Sequence, residues 1–84
     1  MKSVVNFKGV SEGLILQINE ESSFELIKNE LIEKAKMHTS LVENANLVGI
    51  IGKKLSYNEK AILEDILVKI FKINVLSLEI YSYS

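Results

Sequence analysis

Hydrophobic and polar residues alternate in the first part of the chain, as they do in β-strands that bury one face. Within "VNFKG", Val5 and Phe7 fall on one side of the strand and the polar residues fall on the other. A turn bounded by Gly9 and Gly13 leads to "LILQI", which alternates in the same way. Its apolar residues on one side are Leu14, Leu16 and Ile18. The pattern predicts an N-terminal β-hairpin.

Two longer segments change to the period of an α-helix. The first begins at Ser22, which has capping-box spacing to Glu25, and we predict that it ends near Met37. Its apolar positions are Phe24, Ile27, Leu31 and Ala35. The second begins at Ser56, with Glu59 at the same spacing. Its apolar stripe contains Ile62, Leu63, Ile66, Leu67 and Ile70.

The remaining segments predict a loop and two strands. Residues 38–46, "HTSLVENAN", are polar and without period, and the apolar "LVGII" that follows is typical of a buried strand. "INVLSLEIYSY" alternates again and predicts a last strand with Leu76, Leu78 and Ile80 on one side. We therefore predict a small two-layer α/β domain, an N-terminal β-hairpin followed by two βαβ crossovers (ββαβαβ). We expect the helices to lie mainly on one face of a four-stranded mixed sheet.

Composition limits the function classes. The 84 residues suffice for one domain, residues 1–84, and a formal net charge of −1 argues against a nucleic-acid or membrane-surface partner. The chain has no Cys, so disulfides and thiol chemistry are excluded. Its apolar runs are far shorter than the roughly 20 residues of a membrane span, and no signal peptide is recognisable. We expect a cytoplasmic protein without membrane insertion.

Candidate chemistry is sparse. The single histidine, His38, falls in a polar segment without a nucleophile nearby, so we predict no catalytic residues, no metal site and no cofactor. "GIIGKKLS" lacks the spacing of a phosphate-binding loop. Lys53 and Lys54 nevertheless precede a helix N-terminus, where anions are favoured, so a solvated turn and an anion site both remain open.

Three stretches together carry a resemblance to a known family. They are "VNFKG", "SEGLILQINEESSFELIKNELIEKAK" and "GKKLSYNEKAILEDIL". In this order the chain, from Val5 to Ile80, resembles the N-terminal domain of the bacterial septum-site-determining protein MinC. The resemblance implies a cell-division inhibitor that binds the tubulin-like protein FtsZ, antagonises its polymers and helps to place the division septum. It also implies a C-terminal domain, absent from this chain, that makes a homodimer and binds MinD, which recruits the protein to the membrane.

The resemblance also implies which residues contact FtsZ. The lysine–glycine pair that ends the first strand corresponds to Lys8 and Gly9, and a lysine late in the first helix with an apolar residue after it corresponds to Lys34 and Leu41. Many relatives have an aromatic residue at the position of Leu41. Whether the loop 38–46 contacts the partner stays open.

Two other functions are compatible with the sequence. One is a phospho-regulated interaction module similar to the anti-sigma-factor antagonists, with Ser22 or Ser56 as the modified residue. Both serines are equally explained as helix caps. The other is a small-molecule or anion-binding domain centred on Lys53 and Lys54.

Overall fold

The strands and helices follow one another in the predicted order. The computed structural model describes residues 4–82. Its elements are β1 (Val5–Val10), β2 (Gly13–Ile18), α1 (Phe24–Val42), β3 (Asn46–Ile51), α2 (Tyr57–Lys69) and β4 (Asn74–Val75). The sheet order is β1-β2-β3-β4, with β1 antiparallel to β2 and the other neighbours parallel. This mixed sheet of four strands confirms the predicted α/β class.

One hydrophobic core lies between the helices and one face of the sheet. The sheet contributes Val5, Leu16, Leu47 and Ile50, and the helices contribute Ile27, Leu31, Leu63 and Leu67. Both crossovers move in the same direction across the sheet, and crossovers of one hand then place both helices on the same face. The opposite face of the sheet, called the far face below, carries no helix.

The two helices begin differently. Ser56 is the N-cap of α2 and forms a complete capping box with Glu59, as predicted. The predicted cap of α1 is wrong by one residue, because the hydroxyl of Ser23 accepts from the backbone N–H of Leu26. Ser22 instead donates its backbone N–H to the carbonyl of Asn19. It is therefore part of the turn that precedes the helix.

α1 is longer than predicted. We expected a loop from residue 38, but the helix continues to Val42 and only three residues separate it from β3. No Gly or Pro interrupts this segment, and Val42 is buried in the core, which stabilises the additional turn. The helix ends just before Asn44, which has a φ of 69°. Asn tolerates this left-handed conformation better than most residues.

The prediction of a continuous last strand is wrong. Regular pairing in β4 is restricted to Asn74–Val75, and a single bridge between Ile50 and Ile80 follows. The N–H groups of Leu76 and Ser77 both donate to the carbonyl of Leu47, so the chain leaves the ladder at this point. A strand that leaves its ladder loses its alternation.

The side chains of this segment show the same departure. Leu78 is buried, whereas Leu76 and Ile80 are 65% and 50% exposed, although the pattern placed all three on one side. Burial of the Leu78 side chain in the core is favourable by about 1.5–3 kcal/mol and favours the irregular path over continued pairing.

The end of the described chain covers part of the far face. Residues 79–81, called the C-terminal strap below, rejoin β3 through two bonds with Ile50: its N–H donates to the carbonyl of Glu79, and its carbonyl accepts from Tyr81. An added Cβ at Gly49 would lie 2.9 Å from Cβ of Tyr81, so only glycine fits beneath the strap. Ile15 is paired with Gly49 and is fully buried, although it lies outside the helix-side core.

Two side-chain contacts fix the strap at its ends. The hydroxyl of Tyr81 donates to Oε1 of Glu12 in the hairpin turn, at 2.7 Å, and Lys60 of α2 forms an ion pair with Glu79. The hydroxyl of Tyr81, followed by that of Ser11, holds the pKa of the Glu12 carboxyl below its ordinary value. The ammonium of Lys60 lowers the pKa of Glu79 in the same direction.

We expect the strap to be destabilised in acid. Because both carboxyls have lower pKa values when folded than the ordinary value of about 4.3, the stability that they contribute is present above that value. It is lost as the pH falls through the lower, folded-state values. Urea midpoints measured between about pH 6 and about pH 3 should therefore decrease, and by less in Tyr81→Phe, which lacks the bond to Glu12. An equal decrease in the parent and in Tyr81→Phe would contradict a role for this bond.

Candidate functional site

A groove lies between strand β1 and the C-terminal half of helix α1. It has a volume of about 390 Å³ and is called the β1–α1 groove below. Its lining residues are Asn6, Phe7, Leu14, Lys34, Leu41 and Val42. Two of the four residues predicted to contact a partner, Lys34 and Leu41, are therefore brought to one concave surface.

The extension of α1 creates one wall of the groove. Lys34 and Leu41 are seven residues apart on a helix, so they lie on the same face, and Met37 lies between them on that face. Leu41 is 78% exposed and Met37 is 75% exposed, so this face of α1 presents apolar side chains to water beside the groove. Leu41 was expected in a loop. Its position in the helix gives the side chain a fixed direction.

Gly9 is the strand neighbour of a groove residue and does not itself line the groove. It belongs to β1, directly opposite Leu14, which lines the groove, and not to the hairpin turn where we predicted it. The turn consists of Ser11 and Glu12, and Gly13 has the positive φ of 149°. Because opposite residues in an antiparallel pair share a face, Gly9 and Leu14 both face the helix side.

Neither conformation nor packing explains the glycine at position 9. Its φ is outside the positive range that favours glycine, and an added Cβ would meet no atom within 4 Å. At Gly13 and Gly52, by contrast, an added Cβ would lie 2.3 Å and 1.7 Å from a backbone oxygen. The fold therefore tolerates a side chain at Gly9, and the open space beside it is accessible to another molecule.

Lys8 is separated from the other three residues by the strand itself. It is exposed and, as its neighbours alternate, its side chain leaves the far face of the sheet. β1 is an edge strand, so the far face and the groove meet along it. The four predicted residues thus surround one edge of the sheet, with Gly9, Lys34 and Leu41 on the groove side.

Phe7 is a groove residue that we did not predict. Its ring contacts that of Phe71 edge to face, with centroids 5.3 Å apart, and it also lines the groove. Alternation along "VNFKG" predicts that Phe7 faces the inside of the fold, and the structure shows its side chain half-buried. Its contribution to the groove depends on where α1 crosses the sheet, and the local pattern carries no information on that crossing.

Other candidate features of the described residues are a metal site, the single histidine and a membrane-spanning helix. Among the side chains that the structure describes, which do not include His38, no group of three or more His, Asp or Glu is suited to a metal ion. The backbone of His38 lies in α1, and its side chain is outside the described part of the structure. In residues 4–82, neither helix has the length and apolar character needed to cross a membrane.

The alternative sites have structural explanations. Lys53 donates a hydrogen bond from Nζ to the carbonyl of Ser22 at 2.8 Å. This bond connects the turn after β3 to the turn before α1. The hydroxyl of Ser56 accepts from the N–H of Glu59 in the capping box. These contacts account for Lys53 and Ser56 without an anion or a phosphate. They weaken the anion-site and phospho-switch hypotheses.

Comparison with known proteins identifies one family. The model of the family described as "Cell-division inhibitor MinC, N-terminal domain-like" matches residues 5–77, which include every strand and helix of the fold. No curated protein and no solved structure matches the chain significantly.

Proposed function

Because the chain belongs to the family of MinC N-terminal domain-like cell-division inhibitors, we propose that it inhibits division by binding FtsZ and antagonising the assembly of FtsZ polymers. The observation that supports this most is Gly9, a glycine that neither backbone conformation nor packing requires, beside a groove that contains Lys34 and Leu41. A position without a side chain at a groove permits close approach of a partner.

The proposed contact surface is the edge of the sheet at β1. Lys34 and Leu41 contact FtsZ from the helix side of the groove, and Gly9 leaves the strand side open. Lys8 contributes a positive charge from the far face of the same strand, where it steers the approach of the partner. Exposed apolar side chains bordered by lysines are suited to a protein surface with apolar and acidic residues.

Dimerisation and recruitment to the membrane do not depend on this domain in the proposed function. In the full-length protein, a C-terminal domain forms the homodimer and binds MinD, and MinD brings the inhibitor from the cytoplasm to the membrane. The domain described here supplies the contact with FtsZ, so local enrichment at the membrane increases its effect by raising the effective concentration. Septum placement follows from where the inhibitor is concentrated.

We expect Gly9→Asp to remove most of the FtsZ antagonism while the domain stays folded. The substitution adds a charge and bulk beside the groove, and we expect roughly tenfold lower potency. Since the new side chain enters open space, the loss of stability should be no more than about 1 kcal/mol. The measurement is sedimentation of FtsZ polymers with increasing amounts of the parent or variant chain, paired with thermal melts by circular dichroism.

The control is Leu26→Asp, which places the same charge on an exposed residue of the first turn of α1, outside the groove. It should retain the potency of the parent. A folded Gly9→Asp variant with full activity would remove the β1 edge from the contact surface. Failure of the parent chain itself to reduce FtsZ sedimentation would contradict the proposed function.

A further inference from the structure

The hydrogen-bond pattern of β1 leaves one set of backbone groups directed away from the sheet. Asn19 donates its N–H to the carbonyl of Val4, the residue directly opposite it, so Val4 and Asn19 form a hydrogen-bonded pair. Bonded and non-bonded pairs alternate in an antiparallel ladder. The pairs of Phe7 and Gly9 are therefore non-bonded ones, and the N–H and C=O groups of these two residues point to the open edge.

The side-chain positions of the same two residues are on the helix side of the sheet, where the β1–α1 groove lies. Phe7 lines the groove, and Gly9 lies opposite Leu14, another lining residue. The space beside Gly9 is open, so no side chain obstructs a second backbone along this part of the edge. An exposed edge strand with outward backbone groups is a template for another strand. Here the template and an apolar groove lie side by side.

The charge of the groove indicates which kind of partner segment would bind there. Its only charged lining residue is Lys34, which forms neither an ion pair nor a side-chain hydrogen bond with any part of the chain that the structure describes. A second copy of this chain would bring its own Lys8 and Lys34 to the same edge, and like charges across a strand pair are destabilising. A segment that carries a carboxylate complements the groove.

We propose that the partner binds as an added β-strand along β1. Its backbone bonds to the outward groups of Phe7 and Gly9, an apolar side chain enters the β1–α1 groove between Phe7 and Leu41, and a neighbouring carboxylate pairs with Lys34. The partner segment is thus extended and combines an acidic with an apolar residue. This inference rests on the proposed function, which supplies FtsZ as the protein that carries the segment.

Hydrogen exchange of the backbone amides tests the proposed pairing directly. In the isotopically labelled chain alone, the amides of Phe7 and Gly9 should exchange fast, while those of Asn6 and Lys8, bonded to β2, should exchange slowly. On addition of FtsZ, we expect exchange at Phe7 and Gly9 to slow by roughly tenfold or more, with little change at Asn6 and Lys8. Protection at every second residue is the mark of an added strand.

A pair of lysine variants tests the charge. Lys34→Gln should weaken binding to FtsZ and reduce its dependence on salt, because a desolvated ion pair is lost. Lys36→Gln is the matched control: Lys36 lies on the same helix and pairs with Glu33 in solvent, so its variant should bind as the parent does.

The outcomes separate this inference from the proposed function. Binding of FtsZ without alternate protection of Phe7 and Gly9, or with equal effects of Lys34→Gln and Lys36→Gln, overturns the added strand and leaves FtsZ antagonism standing. Absence of FtsZ binding by the parent overturns both. Alternate protection that appears without FtsZ and grows with the concentration of the chain identifies a second copy as the occupant, and this too overturns the proposal.

Discussion

Replacement of Gly52 by alanine is expected to lower the free energy of unfolding by about 3–4 kcal/mol. Gly52 follows β3 at the start of the turn into α2 and has a φ of 102°, a conformation that residues with a side chain rarely adopt. An added Cβ would lie 1.7 Å from the carbonyl oxygen of Ile18, so two backbone segments must separate. A domain of this size has roughly 5 kcal/mol of net stability, so most of it would be lost.

Gly9→Ala is the matched control for this prediction. The same methyl group enters open space at Gly9, and φ there is outside the positive range, so we expect a change within about 0.5 kcal/mol. Urea denaturation followed by circular dichroism measures both variants. Equal midpoints for Gly52→Ala and the parent would show that the turn after β3 can rearrange around a side chain.

Phe71→Ala is expected to destabilise the domain by about 3–5 kcal/mol. Phe71 is fully buried just after α2, and its ring meets that of Phe7 with an angle of 67° between the planes. Loss of the ring leaves a cavity between the end of α2 and β1. It also removes the support of Phe7, so the β1–α1 groove changes shape in whatever fraction stays folded.

Two further variants serve as controls for Phe71→Ala. Phe71→Leu keeps most of the volume and should cost clearly less than the alanine variant, whereas Val68→Ala, at a half-exposed position of α2, should cost about 1 kcal/mol or less. Urea midpoints for the three proteins give the order. A loss below about 1 kcal/mol in Phe71→Ala would mean that the core collapses into the space and that the ring contact is dispensable.

The elements that the sequence predicted well are those whose signals are local. The start of α2 is specified by Ser56 and Glu59, which bond reciprocally within one turn, and the hairpin follows from alternation on both sides of a two-residue turn. The end of α1 depends on a distant contact, because burial of Val42 stabilises residues that look like a loop. Local propensity underestimates helices that are completed by tertiary packing.

The prediction of a continuous last strand was wrong for a related reason. Alternation after Asn74 is compatible with a regular strand, but an edge position gives the chain a hydrogen-bonding partner on one side only. Burial of Leu78 then outweighs continued pairing. The shape of the core decides between burial of one side chain and continued backbone pairing, and no local pattern specifies that shape.

The contact residues stay a prediction. Lys8, Gly9, Lys34 and Leu41 came from family resemblance, and the structure brings two of them, Lys34 and Leu41, into one groove. The reason for Gly9 was not available from the sequence, because a glycine in "FKG" is equally typical of a turn. Only the sheet order, which makes β1 an edge, and the free space beside Gly9 distinguish an accessible surface from a structural requirement.

The bond between Tyr81 and Glu12 joins positions 69 residues apart, almost the full length of the chain. On the ribosome, the hairpin, α1 and β3 emerge before the strap does, so the sheet surface at Gly49 stays exposed to water and to other nascent chains until the strap is made. The part of the far face under the strap is thus closed only after residues 79–81 have left the ribosome. Ribosomes stalled before Tyr81 should accordingly present an unfinished sheet surface to chaperones, and those stalled well beyond it should not.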